Sequence, residues 1–270
     1  MDYNRRKRLC RLKRSYISTS FLGIKPCCFC PFRLKVLSLP QRHECAKEPV
    51  PPRRGPCFLY IIFKIMKIFA VGMNYILHNK ELDGALYKPE EPVIFTKADS
   101  SLLKDRKPFF MPDDLGRIDY EAELVVRICR LGKSIPQRFA HRYYDAVTVG
   151  IDFTARELQR KLRDEGKPWE LCKGFDGAAV IGQWVEKEKL RDIQALRFRL
   201  DVNGATVQEG CSADMLFKVD ELIAYISRWF TLKTGDLLYT GTPAGVGPVN
   251  IGDRLEGWLE ERKVLEFNVK

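Results

Sequence analysis

The chain has 270 residues, enough for one large domain or two small ones, with the 45% hydrophobic and 30% charged content of a globular protein. Its formal charge of +11 is unevenly spread: residues 1–65 hold 15 Lys/Arg and 3 Asp/Glu, which leaves 31 and 32 for residues 66–270. The body is thus close to neutral, at −1, which argues against nucleic acid as its partner.

Residues 1–65 read differently from the rest. They open RRKRLCRLKR, pass through PCCFCPF and sustain neither a helical nor a strand period. No clean apolar core follows the basic start, so a secretory signal is not expected. The run FLYIIFKI at 58–65 is too short to span a bilayer, so no membrane partner is expected. Cys27, Cys30, His43 and Cys45 allow a loose zinc-site reading, and the basic opening allows contact with nucleic acid or an acidic membrane. The plainer expectation is a disordered extension or a mis-assigned start before Met66, with the catalytic body at 66–270. Cys129, Cys172 and Cys211 are the only cysteines of the body, which predicts a reducing, cytoplasmic setting rather than a disulfide framework.

Along the body, 67–71 and 92–96 read as strands, and 74–82 as a short polar turn or helix. Residues 117–128 form one longer strand with IDYEAELVV at 118–126. Residues 136–140 begin a helix, and 147–151 is a short β-branched run. Residues 154–164 read as a helix with Leu158 and Leu162 on one face. Asn203-Gly204 between two strand runs, 196–202 and 205–208, is a strong hairpin signal. A helical period places Val219, Leu222, Ile223, Ile226 and Phe230 together within 215–230. Residues 236–240, 254–259 and 264–269 close the chain as strands. Strands dominate without βαβ alternation, which predicts an α+β, mostly β fold.

The chemistry concentrates in a few places. In IDYEAELVV the period of two puts Ile118, Tyr120, Ala122, Leu124 and Val126 on one face. Asp119, Glu121 and Glu123 share the other, spaced roughly 6–7 Å apart. Like charges that close disfavour ionisation unless water or a cation intervenes. Asp152 sits where a short strand meets a helix, at i, i+4, i+7 from Arg156 and Gln159, which would share a face if the helix reaches back. N-capping by Asp152 is the bland alternative. Glu121, Glu123 and Asp152 together suit a hard cation, Mg²⁺ or Mn²⁺. Asp119 is ranked as a surface or supporting group. His78 and Glu81, at i, i+3, form a pair that can act as a general base, or an ordinary exposed ion pair. Lys173 opens the Gly-containing KGFDGAAVIG, and TGTPAGVGP is a second Gly-rich stretch; both are turns, or places where backbone N–H groups approach an anion.

Together, GMNYILHNKEL, YEAELVV, GIDFTARELQ, the Lys173 loop and TGTPAGVGPVNIGD resemble the fumarylacetoacetate hydrolase family across 66–270, in its short acylpyruvase and oxaloacetate decarboxylase-like branch. The resemblance implies a mixed β-sheet rolled around a metal site, usually in a homodimer. It implies Glu121, Glu123 and Asp152 as metal ligands, and Arg156, Gln159, Lys173 and Thr242 around the substrate's carboxylate and oxo groups. His78 and Glu81 fall on the lid dyad of the hydrolytic members. Met73 stands where many members carry Arg before the Asn-Tyr pair, which predicts a different substrate range or lid closure. The implied activity is metal-dependent C–C hydrolysis of a 3-acylpyruvate-type 2-oxo acid, with oxaloacetate decarboxylation beside it. One enolate serves hydrolysis, decarboxylation and isomerisation, so an isomerase or tautomerase is the alternative. From another class, a non-catalytic metal-binding protein with a nucleic-acid-associating tail is the rival.

Overall fold

The computed structural model describes residues 66–83 and 87–270. The Cys27, Cys30, His43 and Cys45 grouping, the basic opening and the disordered-extension reading lie outside the described residues. In chain order the body comprises β1 (Ile68–Gly72), α1 (Ile76–Asp83), β2 (Val93–Lys97), β3 (Leu102–Leu103), β4 (Ile118–Tyr120) and β5 (Ala122–Ile128). Then come α2 (Gln137–Ala140), β6 (Tyr144–Asp152), β7 (Thr154–Ala155), α3 (Arg156–Asp164), α4 (Glu170–Lys173), β8 (Ala179–Ile181) and β9 (Val185–Glu186). The last part holds β10 (Arg197–Val202), β11 (Ala205–Cys211), α5 (Val219–Trp229), β12 (Leu237–Tyr239), β13 (Gly247–Pro248), β14 (Arg254–Leu259) and β15 (Arg262–Asn268).

An eight-stranded sheet runs in the order β2-β1-β12-β5-β6-β8-β3, with β9 paired to β6. It is mixed: β1 and β12 are parallel, as are β3 and β8, and the other pairs are antiparallel. A four-stranded antiparallel sheet, β11-β10-β14-β15, and a small one, β13-β4-β7, complete the fold. The mostly β architecture with a curled mixed sheet is the one the sequence predicts. At its core, Phe109 stacks on Phe153 with centroids 4.0 Å apart, and Phe267 meets Phe153 edge-on. Elsewhere in the large sheet Gly150 of β6 allows close strand packing, since a Cβ there would lie 2.5 Å from the Val180 carbonyl.

Local signals explain several elements. Asn203 and Gly204 both take positive φ, 53° and 82°, as the tight turn between β10 and β11 requires. The helical period of α5 buries Val219, Leu222, Ile223 and Ile226, whereas Phe230 falls one residue past the helix and is 41% exposed.

Two expectations need correction. The alternation at 117–128 predicts a single half-buried strand. The chain instead breaks at Glu121 and changes sheets there: β4 pairs with β7 and β13, and β5 with β6 and β12. Both faces are buried, because the polar side looks into a closed site rather than into solvent. Asp119, at 1% exposure, is no surface group. Second, the helix expected from 154 begins at Arg156, after a two-residue strand, and does not reach back to Asp152. Asp152 ends β6, and Ala155 rather than Asp152 takes the N-cap position.

Candidate active site

The site is assembled where β4, β5 and β6 meet. Glu121 and Glu123 lie two apart and project to the same side. The Asp152 backbone N–H donates to the Glu121 carbonyl at 2.8 Å, which sets the third carboxylate beside them. Oxygens of Glu121, Glu123 and Asp152 lie within 4.8 Å of one another, and all three residues are buried.

Three buried cations answer this charge. Lys173 Nζ bridges Glu121 Oε2 at 2.6 Å and Asp152 Oδ2 at 3.0 Å. Arg156 donates from Nη2 to Glu121 Oε1 at 2.6 Å, from Nε to Asp119 Oδ2 at 2.8 Å and from Nη1 to Gln159 Oε1 at 2.6 Å. Lys97 Nζ comes within 2.6 Å of Asp152 Oδ1, but off the axis of a hydrogen bond, so that buried oxygen has an ion pair and no aligned donor. Lys97 also donates to the carbonyls of Lys173 and Ala178.

Glu123 is the exception. Among the described residues no cation lies within ion-pair distance of it, and Gly241 N–H is its donor, at 2.6 Å. Gly241 has φ +96°, and a Cβ there would come within 2.7 Å of Asn74 Cβ, so only glycine brings the amide this close. A buried carboxylate short of a counter-charge and an Asp152 oxygen short of a donor together fit a divalent cation bound to oxygen ligands.

The protonation equilibria follow the same division. Burial would raise the Glu121 pKa, but Lys173 and Arg156 outweigh it and hold the carboxyl well below the usual range. Burial, reinforced by Asp152 and Glu121, pushes the Glu123 carboxyl well above it. Burial lowers Lys97 despite the opposing pull of Asp152. Lys173 is raised, because Asp152 and Glu121 overcome its burial.

The pocket over the triad is lined by all nine predicted site residues: His78, Glu81, Glu121, Glu123, Asp152, Arg156, Gln159, Lys173 and Thr242. His78 in α1 is 5% exposed, and its Nδ1 lies 3.3 Å from Glu81 Oε2. Glu81 also accepts the Gly245 N–H at 3.2 Å, and the His78 hydrogen bond first, then Gly245, holds its carboxyl below the ordinary value. The Gly-rich stretch therefore presents two amides to anions, and both anions are the protein's own carboxylates. Lys173 ends the short helix α4 rather than opening a loop. Thr242 Oγ1 accepts from Gln208 Nε2 at 2.9 Å, while Gln208 Oε1 accepts the Ala122 N–H at 2.9 Å.

Sequence reasoning passes over Lys97 and Gln208; of the two roles it allows Asp119, the supporting one is found, through its bond from Arg156. The alternation did place Asp119 on the polar face. Lys97 and Gln208 carry no local signal, since their partners are 34 or more positions away in the chain.

A curled mixed sheet around three buried carboxylates, with a His–Glu pair lining the same pocket, is the arrangement that the family comparison meets. The chain belongs to the fumarylacetoacetate hydrolase family: residues 67–270 match the family described as fumarylacetoacetate (FAA) hydrolase C-terminal. It is 40% identical over 204 residues to a mitochondrial oxaloacetate tautomerase of Arabidopsis thaliana, covering 76% of this chain and 91% of the relative. It is 38% identical to an oxaloacetate tautomerase of Escherichia coli over 194 residues, 72% and 88% of the two chains. The crystal structure of fumarylpyruvate hydrolase from Pseudomonas aeruginosa in complex with Mn²⁺ and pyruvate superposes with a TM-score of 0.71 at 32% identity, covering 76% of this chain and 89% of that one. Among the described residues no helix is long and apolar enough to cross a membrane.

Proposed function

We propose that this enzyme interconverts the keto and enol forms of a 2-oxo acid, with oxaloacetate as the leading substrate and a divalent ion, Mg²⁺ or Mn²⁺, held by Glu121, Glu123 and Asp152. The observation that carries the reading is the His78–Glu81 pair, 3.3 Å apart, lining the same pocket as the buried triad. The relatives named as oxaloacetate tautomerases support the choice of substrate.

When bound, the ion supplies Lewis acidity to the substrate's carboxylate and 2-oxo oxygens. Arg156 has five N–H groups and gives three to protein acceptors, which leaves two for the head group beside Gln159 and Thr242. Glu81 accepts from His78 Nδ1, which leaves the Nε2 lone pair free to act as a base. His78 Nε2 takes a proton from C3 of the keto acid. The C–H electron pair becomes the C2–C3 double bond, and the carbonyl pair moves onto the 2-oxo oxygen. The Lys173 ammonium stabilises the charge that develops there. Delivery of the proton to that oxygen gives the enol, and the reverse sequence restores the keto acid.

A second reading keeps the same groups. His78 deprotonates a water that attacks the distal carbonyl of a 3-acylpyruvate; the C–C bond breaks and pyruvate leaves as its enolate. The same dyad can serve either reaction, and the likeness to a fumarylpyruvate hydrolase is what favours this one. Membership of an enzyme family sets aside the non-catalytic alternative. The homodimer implied by the family belongs to this proposal and is testable by light scattering.

The deciding assay follows relaxation of oxaloacetate enol absorbance and pyruvate release from acetylpyruvate, with Mg²⁺ and with EDTA, for wild type and His78→Ala. Metal-dependent relaxation that falls about a hundredfold in His78→Ala supports the tautomerase. Pyruvate from acetylpyruvate with no acceleration of enol relaxation would replace it with the hydrolase.

A further inference from the structure

We infer that one end of the large sheet is a peripheral docking face for an anionic lipid surface, built from helix α2 and the loop that joins it to β5. Residues 128–143 carry Arg130, Lys133, Arg138 and Arg142 and no Asp or Glu, in a body whose overall charge is −1. All four cations are exposed, and among the described residues none has a carboxylate at ion-pair distance. The acids at hand, Asp145 and Glu186, are paired with Arg127. Aromatic rings hold the cations in place without neutralising them. Arg138 and Arg142 lie 4.8 and 5.0 Å from the centre of the Phe139 ring, and Arg130 lies 5.8 Å from that of Tyr143. Lys133 donates to the Arg228 carbonyl at 3.0 Å and Gly132 bridges to Leu232, which fastens the loop to the end of α5. Exposed on these same segments are Leu131, Phe139 and Trp229.

The mixture of cations and apolar tips decides the occupant. Four cations alone would suit any polyanion, but Leu131 and Trp229 gain nothing from a phosphate backbone or an acidic peptide. A lipid surface answers both groups, with anionic headgroups for the cations and acyl chains just beneath for the apolar tips. Stacking of a nucleic-acid base on Phe139 would compete with the two guanidiniums already on that ring. A second copy of the chain is disfavoured, because the same face meeting itself would set four cations against four. The contact is peripheral and needs no spanning helix. None of these residues lines the pocket over the triad, so changing them should leave turnover as it is.

The test is co-sedimentation of the full chain with vesicles of phosphatidylcholine alone and of phosphatidylcholine mixed with phosphatidylserine. Residues 1–65 are themselves basic, so two charge variants are compared. One carries Arg130→Gln, Arg138→Gln and Arg142→Gln; the other carries Arg5→Gln, Arg6→Gln and Arg8→Gln. Wild type should bind only the mixed vesicles. The face variant should bind them on the order of a hundredfold more weakly, at about fivefold per charge, and added salt should weaken wild type in the same direction. Leu131→Ser with Trp229→Ser should cost about tenfold, and that loss should persist at high salt. The inference is overturned if wild type ignores phosphatidylserine, or if the face variant binds as wild type does while the Arg5, Arg6 and Arg8 variant does not. It is also overturned if Leu131→Ser with Trp229→Ser binds vesicles unchanged while the face variant loses single-stranded RNA, which would give the face to nucleic acid. A changed oligomeric state of the face variant by light scattering would make the face an interface between copies, and would overturn it too.

Discussion

Lys97 and Asp152 meet at 2.6 Å inside the molecule, with side-chain exposures of 0% and 1%. The ammonium reaches at once a triad carboxylate, the carbonyl of Lys173 and the carbonyl of Ala178. Breaking a buried pair by removing one member leaves an uncompensated charge, at a cost of about 3–5 kcal/mol. Lys97→Met should therefore lower the urea midpoint markedly in EDTA. Mg²⁺ should restore more stability to this variant than to wild type, because the triad it meets is one charge more negative. A wild-type midpoint for Lys97→Met in EDTA would show that the pair contributes nothing.

Glu123 leads to an expectation of the opposite sign. Its carboxyl is held well above the usual range by burial and by Asp152 and Glu121. The unfolded chain ionises this group near pH 4.3, and the folded chain only at higher pH. Raising the pH from 4 to 7 thus favours unfolding of the metal-free protein through this residue. Glu123→Gln removes that penalty and still accepts the Gly241 N–H. In EDTA it should melt above wild type at pH 7, with the gap narrowing towards pH 4. It should also lose most of the melting increase that Mg²⁺ gives wild type. A Glu123→Gln protein less stable than wild type in EDTA at pH 7 contradicts this account.

Glu81 titrates the other way. The hydrogen bond from His78, with help from Gly245, depresses its folded pKa. Its stabilisation is present above the unfolded value near 4.3 and is lost as the pH falls through the lower folded value. The group is partly exposed, so solvent screening limits the effect to under about 1 kcal/mol. The stability gap between wild type and Glu81→Gln should stay level from pH 7 to 5 and close below it. Turnover at pH 7 should fall about tenfold, since the amide no longer orients His78 as a carboxylate does. Unchanged turnover would remove Glu81 from the mechanism.

Gln208 ties Thr242, Pro243 and Ala122 together, with three hydrogen bonds of 2.9 Å. Gln208→Leu leaves the Ala122 N–H buried without an acceptor, at about 1–3 kcal/mol. It also frees the Thr242 hydroxyl to rotate. KM should rise more than kcat falls, and steady-state kinetics beside a urea melt would show whether the two effects separate.

What was legible in the sequence was local. The Asn203-Gly204 turn and the buried stripe of α5 are written within a few residues of themselves, and the structure forms both. The carboxylate triad was legible for a different reason: three acids on one face of an apolar strand are costly unless something compensates them. The break at Glu121 was not legible, because it depends on β7 and β13, whose pairing with β4 no local pattern announces. Alternation at period two reads the same whether a strand stays in one sheet or leaves it. The start of α3 failed similarly, since Thr154 and Ala155 are held extended by β4 rather than by their own preference. Lys97 lies one residue past the strand read at 92–96, and nothing near it in sequence announces Asp152 as its partner.

The change of sheet at Glu121 has a mechanical consequence. Two of the triad's carboxylates, Glu123 and Asp152, are borne by the large sheet, while Glu121 is the joint between it and the β13-β4-β7 ribbon. Were an ion held by these three residues, as proposed, the spacing of its ligands would follow the angle between the two layers. Substitutions along the ribbon, at Pro248 for instance, would retune which ionic radius is preferred while leaving the coordinating oxygens chemically untouched.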